Sequence, residues 1–259
     1  PMALAGQTAL VTGGGSGLGE AAAEKLHQLG ANIFILDRDE EAMVAVQARL
    51  GARVGSCTCD VTSADDVGRA LDQAEGQFGK NTITILVNSA GVGGAAKTLD
   101  RKSEPFPLDF FETLIKVNLI GTFNVARLAA QRMAKAPPRE SGQRGVIINV
   151  ASVAAYEGQM GQVGYSASKG GVVSMTLPMA RDLGSFGIRV VTIAPGIFDT
   201  PMMQRAPDKL RASLENQCLA PKRLGHAGEF GHLVTSIVQN TYLNATVIRL
   251  DAGIRMAAL

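Results

Sequence analysis

An α/β fold, built as a doubly wound, seven-stranded parallel sheet with helices on both faces, is predicted by three features of the sequence. Short apolar runs alternate with helical periodicity along the chain, several of those runs are nearly continuous Val, Ile and Leu, and a glycine-rich turn follows the first of them. Strands buried on both faces lose the period-two polarity pattern, so continuous apolar runs indicate a parallel sheet covered twice over. The 259 residues suffice for one such domain, 1–259, to bury a sizeable core.

Each element has its own justification. Residues 8–12 form the first expected strand, because Ala9-Leu10-Val11 runs directly into Thr12-Gly13-Gly14-Gly15-Ser16-Gly17-Leu18-Gly19. Residues 18–29 then read as a helix with Leu18, Ala22, Leu26 and Leu29 on one side. The second apolar run, 32–36, ends at Asp37, and further runs cover 53–59, 84–88, 145–151, 189–194 and 246–250. The stretch 137–142, with its two prolines and a glycine, reads as a surface loop between a long helix and the fifth strand. Residues 196–225 contain Pro201, Pro207 and Pro221 and little strand pattern, so they are expected to form an irregular segment covering a substrate. Met202 and Met203 within it are candidate apolar contacts for that substrate, with ordinary core packing as the alternative.

Composition excludes several classes of function. A net charge of +2 is too small to argue for nucleic acid or an anionic membrane surface. No apolar run approaches the ~20 residues that a membrane helix needs, and the first residues show no charged-then-apolar leader. Cys57, Cys59 and Cys218 are an odd number without a disulfide framework, which favours reduced thiols in the cytoplasm or, in a eukaryote, the mitochondrial matrix. His27, His226 and His232 are too scattered to hold a metal, and none is expected.

Two constellations carry chemistry. Glycines let the backbone turn sharply and approach a pyrophosphate, while the following helix presents free amides to its negative charge. Gly13, Ser16, Gly17, Leu18 and Gly19 are therefore candidate cofactor-binding residues. Asp37 lies eighteen residues after Gly19, where a carboxylate binds adenosine ribose hydroxyls and repels a 2′-phosphate, so NAD is expected over NADP. Arg38 beside it is the one feature that favours NADP.

The second constellation is Ser152, at the end of the fifth apolar run, with Tyr165 thirteen residues on and Lys169 four beyond that. On a helix, Tyr165 and Lys169 share one face a turn apart. A free tyrosine titrates near pH ~10, and lowering that to neutrality takes roughly 4 kcal/mol. Two unit charges ~4 Å apart interact by about that much at an effective dielectric constant near 20, so one lysine plus a positively charged nicotinamide ring is a sufficient source for the shift. Tyr165 is thus expected to take a proton from a substrate hydroxyl while Ser152 holds the oxygen. Gly13, Asp37, Asp60, Asn88 and Ser152 all fall at the ends of apolar runs, where an open parallel sheet binds its ligands.

With these motifs in place, the chain resembles the short-chain dehydrogenase/reductase family over nearly its full length. The glycine turn looks like the family's cofactor loop in a Rossmann-type domain, Asp60 with Val61 its adenine contact, and Asn88-Ser89-Ala90-Gly91 a variant of its Asn-Asn-Ala-Gly element. Ser152, Tyr165 and Lys169 look like its active site, and Asn118 matches the asparagine that helps link the lysine to solvent. Pro195, Gly196, Ile197, Phe198 and Thr200 match the segment that holds the nicotinamide. Ser89 departs from the family's usual second asparagine.

Within the family, residues 145–155, 157–162, 165–171, 175–183 and 223–225 more closely resemble the 3-hydroxyacyl-CoA dehydrogenases. That resemblance implies NAD-dependent interconversion of a 3-hydroxyacyl-CoA and a 3-ketoacyl-CoA, an acyl-CoA as substrate, and assembly as a homotetramer. Gln159 and Gln162, just before Tyr165, are candidate substrate contacts. Lys97, Arg101 and Lys102 read as a solvated charged loop, with a CoA phosphate contact as the alternative. Two rival functions stand beside this one: dehydrogenation of a steroid or other secondary alcohol, and a cofactor-sensing or RNA-processing scaffold.

Overall fold

A computed structural model describes residues 4–204 and 208–258. In chain order the strands are β1 (Thr8–Thr12), β2 (Asn32–Asp37), β3 (Val54–Thr58), β4 (Ile83–Asn88), β5 (Gly145–Val150), β6 (Ile188–Pro195), β7 (Phe198–Asp199), β8 (Gly225–His226) and β9 (Thr246–Leu250). The helices are α1 (Gly17–Gln28), α2 (Glu40–Leu50), α3 (Ala64–Phe78), α4 (Leu108–Ile115), α5 (Thr122–Lys135), α6 (Val163–Gly184), α7 (Pro201–Gln204), α8 (Asp208–Gln217) and α9 (Ala227–Gln239).

Seven strands form one parallel sheet in the order β3-β2-β1-β4-β5-β6-β9. The chain winds outward from β1 to β3, then returns to pair β4 on the other side of β1. This reversal opens a crevice at the carboxyl ends of β1 and β4, where such sheets bind ligands.

Pleating sends alternate side chains to opposite faces and so divides the core in two. Ala9, Val11, Ile33 and Ile35 meet α1, α2 and α9 in one layer, whereas Leu10, Phe34 and Leu36 meet α3, α5 and α6 in the other. Both layers exclude solvent, which accounts for the unbroken apolar runs. Helices α1 and α9 approach closely because Gly231 lies against the Ala21 carbonyl, where a Cβ would come within 2.5 Å.

The expected strands all appear, with ends shifted by a residue or two. β3 stops at Thr58, so Cys59 lies beyond it; Cys57 and Cys59 are nonetheless both buried in the second layer as free thiols. One expectation needs correction. The segment 196–225 is not irregular throughout, since α7 and α8 lie within it and β7 pairs with β8 across it. The region 108–135 is one continuous helical rod with a π-helical stretch, Lys116–Gly121, between α4 and α5. No helix among the described residues is long and apolar enough to cross a membrane.

Candidate active site

The glycine turn folds around backbone contacts that side chains would block. Gly13 (φ +64°) leaves β1 in the left-handed region, and a Cβ on it would lie 2.9 Å from the Ala90 backbone at the end of β4. Gly19 sits against the Gly13 carbonyl, where a Cβ would collide outright. The turn from β1 is thus pressed against the turn from β4. Ser16 caps α1 with extended backbone but makes no side-chain cap bond, so its hydroxyl does not occupy the helix's first amides.

Asp37 ends β2 beside this turn. Its Oδ2 accepts the Gly15 amide at 2.9 Å, and its Oδ1 accepts the amides of Arg38 at 2.7 Å and Asp39 at 3.2 Å. A carboxylate fixed on three amides, next to a glycine cradle, presents its remaining lone pairs to a diol. Asp60, past β3, accepts the Thr62 amide and hydroxyl through Oδ1, and these bonds hold its carboxyl below the usual range. Val61 is buried; its carbonyl accepts Asn124 Nδ2 at 2.9 Å, and Gly121 packs against its side chain.

The β4 end is anchored differently from the sequence expectation. Asn88 is buried, and its Nδ2 donates to Asn149 Oδ1 at 2.9 Å and to the Thr122 carbonyl at 3.2 Å. Its Nδ2 thus fastens β4 to β5 and α5, while its Oδ1 has no partner among the described residues. Thr12, which the sequence reading passed over, is the residue that shapes the next turn: its Oγ1 accepts the amides of Ser89 at 3.1 Å and Ala90 at 3.0 Å. A hydroxyl residue at a strand end beside a glycine turn was the available signal.

Ser152 follows β5 and caps the short 3-10 turn Val153–Ala155, its Oγ accepting the Ala154 amide at 3.1 Å. Tyr165 stands in the first turn of α6 and Lys169 one turn later, as the spacing predicts. Lys169 Nζ donates to the Val150 carbonyl at 2.9 Å and lies 5.9 Å from the centre of the Tyr165 ring. Gly91 makes room for this ammonium, since a Cβ there would stand 3.4 Å from Nζ and 3.1 Å from Asn118 Oδ1.

Asn118 lies within the π-helical stretch and is fully buried. It exchanges two hydrogen bonds with the backbone of Val92, accepting at 2.8 Å and donating at 2.9 Å, and donates to Ser168 Oγ at 3.0 Å. Ser168 in turn donates to the Tyr165 carbonyl at 2.7 Å. Asn118 therefore ties the Gly91–Val92 turn to the helix that carries Tyr165 and Lys169. Wider helical turns of this kind often mark functional positions, because they re-aim one side chain within an otherwise regular rod.

Burial pushes the Tyr165 phenol up from its ordinary value, and the neighbouring Ser152 hydroxyl opposes that shift by hydrogen bonding. Burial also pulls Lys169 down to about 8. The lysine's bonded partner is the Val150 carbonyl rather than a carboxylate, so no opposite charge offsets its loss of hydration.

The remaining predicted residues surround this centre. Pro195 ends β6, the Gly196 amide donates to the Leu250 carbonyl at 2.9 Å, and the Ile197 carbonyl accepts the Gly225 amide at 2.9 Å. Phe198 is buried edge-to-face on Phe230. Thr200 reaches the glycine turn, with its Cγ2 3.6 Å from where a Gly17 Cβ would be. Gln159 is engaged with the chain end, donating from Nε2 to the Ala257 carbonyl at 3.2 Å, and Gln162 Oε1 accepts the Gln159 amide at 3.0 Å. Met203 is half-buried in α7, while the Met202 side chain lies outside the described residues. Lys97, Arg101 and Lys102 are exposed in the loop before α4.

The chemistry of these residues fits a dinucleotide: the glycine turn leaves the first amides of α1 free for a pyrophosphate, and Asp37 beside it has lone pairs for a ribose. Comparison with known proteins agrees. The chain is 51% identical over 252 residues to a 3-hydroxyacyl-CoA dehydrogenase type-2 of Bos taurus, covering 97% of this chain and 96% of that one. It is 36% identical to an ipsdienol dehydrogenase of Ips pini, covering 95% and 96%. A crystal structure of a 3-hydroxyacyl-CoA dehydrogenase type-2 from Mycobacterium avium superposes with a TM-score of 0.93 at 40% identity, covering 98% of each chain. Residues 7–211 match the family model described as short chain dehydrogenase, and the chain belongs to that family of oxidoreductases, which act on CH–OH groups with a nicotinamide cofactor.

Proposed function

We propose that this protein interconverts a 3-hydroxyacyl-CoA and a 3-ketoacyl-CoA with NAD. The observation that carries the proposal is the convergence of Ser152, Tyr165 and Lys169 on a crevice whose opposite wall is the glycine turn with Asp37, in a chain half identical to a dehydrogenase of that name. Bound NAD supplies the hydride acceptor and a positive charge. In this reading Tyr165 holds the hydroxyl proton of the substrate, Ser152 orients the same oxygen, and Lys169, anchored on Val150, lies beside both. Asn118 is a positioning residue that fixes α6 against the Gly91–Val92 turn.

The phenol is unfavourable as an anion in the bare site, so an added positive charge is what brings it within reach of neutral pH. That requirement links proton removal to the presence of oxidised cofactor. Asp37 favours NAD over NADP because a 2′-phosphate would face its carboxylate. Residues 196–225 are the substrate-covering segment of a single domain, and Gln159, Gln162 and Met203 are its candidate substrate contacts. A homotetramer joined along α5 and α6, where Phe123 and Phe186 stand exposed, fits the apolar groove between those helices. Free thiols at Cys57, Cys59 and Cys218 suit the cytosol or the mitochondrial matrix.

The test is a substrate panel in which acetoacetyl-CoA, a ketosteroid and a plain ketone are each offered with NADH and with NADPH. Turnover of acetoacetyl-CoA with NADH is the expected result. A second reading, oxidation of another secondary alcohol, is favoured by the similarity to ipsdienol dehydrogenase and predicts that the ketone is preferred instead.

A further inference from the structure

Beyond β9 the chain binds two segments at once, Glu157–Gln159 shortly after Ser152 and residues 217–220 at the end of α8. The hub is a pair of charges that the catalytic residues do not touch. Glu157, five residues past Ser152, receives both terminal nitrogens of Arg249, Nη1 to Oε1 at 2.7 Å and Nη2 to Oε2 at 3.1 Å. Arg249 also donates to Asp251 Oδ2 at 2.7 Å and to the Ile254 carbonyl at 3.0 Å, stacks over the Tyr156 ring at 5.4 Å, and is joined by Arg255, which pairs with both Glu157 and Asp251 at 3.4 Å. Such a forked, largely enclosed pair fixes geometry in a way that a lone exposed ion pair does not.

From this hub the tail reaches outward. The Met256 amide donates to Glu157 Oε2 at 3.2 Å, the Ala257 amide to Gln217 Oε1 at 3.1 Å, and Gln159 donates to the Ala257 carbonyl. The Leu219 and Ala220 amides both donate to the Ala252 carbonyl, at 3.0 and 3.3 Å. The end of α8 is therefore hydrogen-bonded to the tail that Glu157 holds, while Cys218 packs beside it against Val153, Ile197 and Ile254. Ser152 has its own anchors, the Ala154 amide and the Ala151 amide bonded to the Ile193 carbonyl, and Asp251 retains Arg249 and the Gly253 amide without Glu157.

We propose that Glu157 is a positioning residue for substrate: through Arg249 it straps the chain's end across the site and sets where residues 217–220 and Gln159 stand over the acyl group. The proposal rests on the dehydrogenase reading for what the segment covers. It separates the strap from the proton-handling residues, because loosening the strap leaves Ser152, Tyr165 and the glycine turn in place. Loss of uniform substrate binding raises KM without lowering kcat.

Glu157→Gln keeps the size of the side chain and removes its charge. With acetoacetyl-CoA and NADH, its KM is expected to rise about 10-fold while kcat and the Kd for NADH stay within about 2-fold, and Glu157→Asp is expected to recover part of the loss. Amide hydrogen exchange, which needs no substrate, is expected to quicken about 10-fold at Leu219, Ala220 and Ala257 in Glu157→Gln and to stay unchanged at Ala151. A fall in kcat or in NADH affinity at constant KM overturns the proposal, as does unchanged exchange at those three amides. If the wild-type protein does not turn over acetoacetyl-CoA, the substrate assignment falls, and the exchange measurement still decides the strap.

Discussion

The two walls of the active-site crevice are built from different materials. On the proposed cofactor side, from β1 to β4, the wall is built on backbone: a left-handed Gly13, the Gly19 contact with the Gly13 carbonyl, and the Gly15, Arg38 and Asp39 amides that fix the Asp37 carboxylate. On the substrate side, from β5 to the chain end, position is set by side chains that meet across long stretches of sequence, as Glu157 and Arg249 do. Backbone-made sites tolerate almost no change and serve one ligand, whereas side-chain-made sites can be respecified by a few substitutions. That contrast explains how one family keeps its cofactor while its members differ in substrate.

The largest test of the contrast lies between the two walls. Tyr165→Phe removes the group proposed to handle the proton and is expected to lower kcat by about 10²- to 10⁴-fold while NADH binding, measured by fluorescence titration, is unchanged. If cofactor binding fell with it, the two walls would not be separable.

On the cofactor wall, Asp37→Ala removes the carboxylate that opposes a 2′-phosphate. The ratio of kcat/KM with NADPH to that with NADH is expected to rise about 100-fold, equivalent to roughly 3 kcal/mol of relieved like-charge repulsion. An unchanged ratio would move cofactor choice to Arg38 or elsewhere.

Lys169 sharpens the comparison through stability, since it is a buried cation without a carboxylate. Its value in the folded protein, about 8, lies below the ordinary 10.5, so below pH 8 the unfolded chain holds the proton more readily and the native state is penalised. The penalty declines as pH rises from about 8 towards 10.5. Lys169→Met is therefore expected to unfold at higher denaturant at pH 7, by on the order of 2 kcal/mol, with the gain shrinking above pH 8 and with activity lost. A variant less stable than wild type at pH 7 would mean that the Val150 hydrogen bond outweighs burial.

The smallest effect is expected at Glu229, whose carboxylate pairs with both Arg223 terminal nitrogens and accepts the His226 amide at the start of α9. These contacts hold it at about 2, below the ordinary 4.5. Stability from the pair is present above pH 4.5 and is lost as pH falls towards 2. Because the side chains are 38% and 46% exposed, solvent screening limits the loss in Glu229→Gln to about 0.5–1 kcal/mol at neutral pH, readable as a shift in urea midpoint.

How far the molecule was legible from sequence follows the same division. The strands were legible because burial on both faces leaves unbroken Val and Ile runs, and the glycine turn because few other residues can occupy its backbone. Tyr165 and Lys169 were placed by helical spacing alone. The π-helical stretch at Lys116–Gly121 left no mark, since its residues do not differ from those of ordinary helices, and the helix α8 was hidden by the prolines around it.

What the sequence by itself determined is local: which segments are strands and helices, where the chain must turn on glycine, and which titratable side chains fall at strand ends. Periodicity and steric permission act over a few residues, so they can be read from a few residues. Tertiary structure alone decided the sign of the Tyr165 shift, the engagement of Asn88 with Asn149, and the meeting of Glu157 with Arg249 across ninety-two positions. Desolvation and long-range pairing depend on what the rest of the chain brings alongside, and no short stretch of residues contains that information.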